Sequence, residues 1–79
     1  MPESKTVEYG VVLFRSVSHA LRGERVTQEA GLKVKLIPVP RQFSSNCGTA
    51  LRFLWSDEAA VRLALEEARM EVEAIHRLE

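Results

Sequence analysis

Tyr9-Gly10-Val11-Val12-Leu13-Phe14 runs straight into Arg15-Ser16. The six residues are β-branched, aromatic and apolar at both parities, the pattern of a strand covered at least partly on each face. Ser16 can then cap a helix. Its stripe would use Val17, Ala20 and Leu21, with Glu24 continuing the spacing, and Gly31 after Ala30 supplies a left-handed stop. A first helix is therefore expected over 17–30.

In Leu32-Lys33-Val34-Lys35-Leu36-Ile37, Lys33 and Lys35 alternate with Val34 and Leu36, the mark of a half-buried strand. Its lysines and the following Pro38 and Pro40 are edge protection, which puts this strand at the margin of a sheet. Thr49-Ala50-Leu51-Arg52-Phe53-Leu54-Trp55 is rich in strand formers and sets Leu51, Phe53 and Trp55 on one face. Ser56 or Asp57 caps a second helix with Ala60, Val61, Ala64, Leu65 and Ala68 on its inner stripe and Arg62, Glu66, Glu67 and Arg69 toward water. Residues 72–78 read either as a short fourth strand or as more of the second helix through Glu71 and Glu73.

With the strand, the chain order is βαββαβ. That is the α+β, ferredoxin-like arrangement: a four-stranded antiparallel sheet with two helices on one face. In that topology the first and third strands are central neighbours. The end of the first strand, the start of the first helix, the end of the second strand and the start of the third then share one edge of the sheet.

The chain has 79 residues, with eleven Lys and Arg against eleven Asp and Glu. No net field exists to hold a nucleic acid or an anionic membrane, although a local basic patch is compatible with neutrality. Residues 1–8 carry Glu3, Lys5 and Glu8 and no apolar run, so they read as a flexible N-terminal segment, neither signal peptide nor membrane span. Residues 9–79 form a single domain. Its size allows only a small core. One cysteine permits no internal disulfide, and His19 and His76 stand far apart without metal-ligand spacing, so no metal site is expected. A reducing, cytoplasmic compartment fits this usage.

That one cysteine, Cys47, lies in the loop Pro38-Val39-Pro40-Arg41-Gln42-Phe43-Ser44-Ser45-Asn46-Cys47-Gly48. Free cysteine is usually buried among apolar groups, so a thiol among two serines, an asparagine and a glycine points to chemistry. The expected topology brings it near Arg15, Ser16 and the first turn of the first helix. Helix N–H groups and nearby cations raise the thiolate fraction. Arg15 and Arg41 are candidate charge partners, Ser44 and Ser45 candidate donors, and Gly48 can take a positive φ that converges N–H groups beside the sulfur. His19 is a candidate base or charge partner in the first helical turn, although a surface position suits it better, since a helix N-terminus disfavours imidazolium. Ser44, Ser45 and Asn46 are also ordinary turn formers; only their grouping around Cys47 carries information.

At these residues the chain resembles a family of small sulfur or selenium carrier protein-like domains. The resemblance rests on Leu13-Phe14-Arg15-Ser16-Val17-Ser18-His19-Ala20-Leu21, Glu24, Glu29-Ala30-Gly31-Leu32, Leu36-Ile37-Pro38-Val39-Pro40-Arg41 and Ser44-Ser45-Asn46-Cys47-Gly48. It covers residues 9 to about 75. The resemblance implies that Cys47 bears a persulfide or perselenide, with Arg41, Ser44, Ser45 and Gly48 around it. Donor and acceptor proteins are the implied partners, and no cofactor is required. Two alternatives stay open: a non-catalytic interaction or ligand-sensing module, and a redox sensor forming an intermolecular disulfide.

Overall fold

The computed structural model describes residues 7–43 and 48–78. Its elements are β1 (Tyr9–Leu13), α1 (Val17–Glu29), β2 (Val34–Pro38), β3 (Thr49–Leu54), a 3-10 turn (Trp55–Asp57), α2 (Glu58–Glu67) and β4 (Ala74–Arg77). The sheet order is β2-β3-β1-β4 with every pair antiparallel. This is the ferredoxin-like βαββαβ arrangement, with β1 and β3 central and β2 at an edge, as the lysine and proline pattern indicated. Residues 1–6 of the expected N-terminal segment lie outside the described residues. Glu8 is held: its carbonyl accepts from the Trp55 N–H at 2.9 Å, and its carboxylate pairs with Arg77 at 2.6 Å.

Local chemistry sets the boundaries. Gly31 has φ +85°, and the Leu32 N–H donates to the Thr27 carbonyl while the Gly31 N–H donates to Gln28. These two bonds form a Schellman stop. Leu32 is consumed by the stop, so β2 starts at Val34 and not at Leu32. The second helix ends the same way without a glycine: Arg69 takes φ +57°, its N–H donates to the Glu66 carbonyl, and the Met70 N–H donates to Leu65. Termination there settles the alternative for residues 72–78 in favour of a strand. At the other end, Trp55 leaves β3 for the 3-10 turn, and Asp57 occupies the N-cap position of α2 without a side-chain capping bond.

One face of the sheet packs on the helices. Val12, Phe14, Leu51 and Phe53 meet Ala20 of α1 and Val61 and Leu65 of α2. The expected stripe of α1 needs correcting here. Val17 and Leu21 are 48% and 52% exposed, and the buried positions are Ala20, Gly23 and Thr27. Close approach explains this. A Cβ built on Gly23 would stand 2.5 Å from Cζ of Phe14, so the helix can lie on that ring only through small residues. Thr27 tolerates burial because its hydroxyl donates to the Gly23 carbonyl at 2.8 Å. In α2, Ala60 likewise proves exposed, and Val61 and Leu65 carry the contact.

Val11, Leu13 and Ala50 are buried on the helix-free face, under Ile37, Val39, Phe43, Ala74 and Leu78. Apolar residues at both parities of β1 thus meet cover on both sides, helices on one and the β2–β3 connection on the other.

The Phe14 ring is fully buried and has no room to swing away from α1. Overpacking in Gly23→Ala should cost about 1–3 kcal/mol, offset in part by the roughly 1 kcal/mol that alanine gains over glycine in a helix, so the variant should be destabilised by up to about 2 kcal/mol net. Urea unfolding checks it; a stabilised variant would contradict the packing described.

Candidate functional site

The strand register gathers four chain ends at one edge of the sheet. Leu13 lies opposite both Ala50 and Ala74, and Pro38 opposite Thr49. The end of β1, the start of α1, the end of β2 and the start of β3 therefore share this edge, as expected from the topology.

The connection from β2 to β3 is tied down on both sides of the cysteine segment. The Val39 N–H donates to the Gly48 carbonyl at 3.2 Å, closing the base of the loop, and the Phe43 N–H donates to the Pro40 carbonyl at 3.0 Å in a turn through Arg41 and Gln42. Gly48 has φ +76° with open space where a Cβ would be, so the residue is required by backbone conformation and not by crowding. Phe43 then crosses the helix-free face and stacks on His76 of β4, ring centroids 4.3 Å apart and planes 10° from parallel. Ser44, Ser45, Asn46 and Cys47 lie outside the described residues.

At the start of α1, Ser16 has extended backbone (φ −150°) and its Oγ accepts from the His19 N–H at 3.3 Å, the N-cap role read from the sequence. The same Oγ lies 2.7 Å from Nδ1 of His19. Either the hydroxyl donates to a bare Nδ1 or a protonated Nδ1 donates to the hydroxyl; both arrangements fix the imidazole against its own helical turn. Arg15 pairs with Glu71 at 3.3 Å, with side chains 69% and 74% exposed. Such exposed pairs contribute little, so Arg15 remains a solvated cation with a carboxylate beside it. Arg41 is exposed at the turn. The structure therefore brings Ser16 and His19 into direct contact, sets Arg15 next to them in sequence and toward Glu71, and places Arg41 and Gly48 on the connection.

Phe43 and His76 are the contact that sequence reasoning did not find. The alternation of β4 puts Ala74 and His76 on one face, but no local signal states that an aromatic thirty-odd positions upstream lands there. Among the described residues, no group of three His, Cys, Asp or Glu side chains could hold a metal ion. No helix among them is long and apolar enough to cross a membrane.

A family model described as "Putative Se/S carrier protein-like" matches residues 9–77, from the first residue of β1 to the last of β4. The chain belongs to this family. No curated protein and no solved structure matches it. For a member of the Se/S carrier protein-like family, the matched segment includes the whole sheet, both helices and the cysteine-bearing connection.

If Phe43 holds that connection through His76, the two side chains are energetically coupled. A double-mutant cycle of Phe43→Ala and His76→Ala, read by chemical unfolding, should give a coupling of about 0.5–1.5 kcal/mol, the range of stacked aromatic pairs. Additive losses would mean that the stack does not anchor the loop.

Proposed function

We propose that this protein carries sulfur or selenium as a persulfide or perselenide on Cys47. The observation that carries the reading is membership of an Se/S carrier protein-like family by a chain with a single thiol: an atom carried covalently through sulfur has only Cys47 to attach to. The anchored ends of the connection support it as well. A carrier needs an accessible, partly ionised thiol more than a deep pocket, which suits a domain of this size.

The transfer balances without an external oxidant. The Cys47 thiolate attacks the terminal sulfur of a donor protein's persulfide, the new sulfur–sulfur bond forms as the donor's bond breaks, and the donor cysteine leaves as thiolate. An acceptor thiolate then takes the terminal atom from Cys47 by the same exchange. Selenium follows the same course. Arg41, Ser44, Ser45, Asn46 and Gly48 are the proposed surroundings of the sulfur, with Arg15, Ser16 and His19 at the neighbouring helix start. Because Ser16 and His19 already satisfy each other, their part is to fix the first turn of α1, whose remaining N–H groups favour an anion. The chemistry requires reduced thiols, as in the cytoplasm.

Mass spectrometry after incubation with a small-molecule persulfide tests the reading. The wild-type chain should gain one sulfur atom on Cys47, removable by a thiol reductant, and Cys47→Ser should keep its fold and gain none. A folded wild-type chain that gains no sulfur would overturn the proposal.

A further inference from the structure

Strand parity gives the helix-free face two unlike halves. The half at the end of β1 is apolar and covered by Val39 and Phe43. The half at the start of β1 carries Tyr9, Lys33, Lys35, Arg52 and Leu54 around an open groove of about 310 Å³. Within the four strands the charged residues on this face are Lys35 and Arg52, both cations, and Lys33 stands just before β2, in a chain whose charges balance overall. None of the three cations is ion-paired among the described residues.

Two features set this apart from an ordinary solvated surface. Lys35 lies directly opposite Arg52 in the β2–β3 register, and like charges directly opposite across strands destabilise a sheet. Edge protection explains the lysines of β2 but not Arg52, which sits on central β3. Arg52 is also held: its guanidinium lies over the Tyr9 ring, 4.3 Å from the centroid. This contact restrains the guanidinium over the ring, so less freedom is lost when its N–H groups meet a carboxylate.

We propose that this half of the sheet docks an acidic segment of a protein partner, with Arg52 as the oriented carboxylate binder and Lys33 and Lys35 as flanking charges. Charge complementarity selects that occupant. A single-stranded nucleic acid would need an aromatic platform for its bases, and the Tyr9 ring is already covered by Arg52. Peptide binding and sulfur loading on Cys47 are separate measurements, so the failure of one reading does not entail the failure of the other.

The test is binding of a fluorescent hexaglutamate peptide to the full chain, with single-stranded oligothymidine as the competing probe. Saturable, salt-sensitive peptide binding is expected, weakened about tenfold or more by Lys35→Glu and by Arg52→Gln. Lys35→Glu sets opposite charges across the strands, so its thermal midpoint should rise by about 1–5 °C even as binding falls. That opposed pair of results separates lost docking from lost folding. Absence of saturable peptide binding, equal binding by Lys35→Glu, or tighter binding of oligothymidine than of the peptide would each overturn the proposal.

Discussion

A central strand with apolar side chains on both faces must be covered on both faces, and this constraint organises the molecule. β1 puts Val12 and Phe14 toward the helices and Val11 and Leu13 away from them, all essentially removed from water. Two helices satisfy the first pair. Among the described residues the second pair is packed by Val39 and Phe43 of the β2–β3 connection, with Ile37, Ala74 and Leu78. Val39 and Phe43, upstream of Cys47 in the same connection, are thus part of the hydrophobic layer of the sheet. The connection's ends are fixed by the energetics of burying β1, by the Val39 to Gly48 hydrogen bond and by the ring stack on His76.

How much of this was legible in the sequence follows from the range of each interaction. Strand identity, the edge position of β2, the Ser16 cap and the Gly31 stop are local, and their residues declare them. In the inner stripe of α1, Ala20 holds as expected, but Val17 and Leu21 face solvent because close approach to the sheet favours small residues. Gly23 faces Phe14 at a distance that leucine could not allow, and Thr27 is buried one turn further on. The stop of α2 was hidden because Arg69 adopts the left-handed conformation that glycine usually announces. The Phe43–His76 stack was invisible for a different reason: it joins a loop to the far edge of the sheet, and only the folded register brings the two together.

Of the candidate site, the composition around the thiol and the shared edge with the start of α1 were readable beforehand. The partners of Arg15, Ser16 and His19 were not. Arg15 turns to Glu71, and Ser16 and His19 turn to each other. The Ser16–His19 contact occupies those two side chains, whereas the exposed Arg15–Glu71 pair costs Arg15 little of its charge. On the helix-free face one half is packed by Val39 and Phe43 of the connection, and the other carries Lys33, Lys35 and Arg52, which have no ion pair among the described residues. A partner seated on Lys35 and Arg52 would therefore border the described ends of the connection, which suits the proposed exchange with a donor and an acceptor.

The central claim is that Cys47 works as a thiolate. Its alkylation by iodoacetamide, followed as a function of pH on the folded chain and on the urea-unfolded chain, tests this most directly. An ordinary cysteine titrates near about 8.5. The account predicts that the folded chain reaches half its maximal alkylation rate at a clearly lower pH than the unfolded one. Coincident profiles, or a folded profile displaced to higher pH, would contradict it.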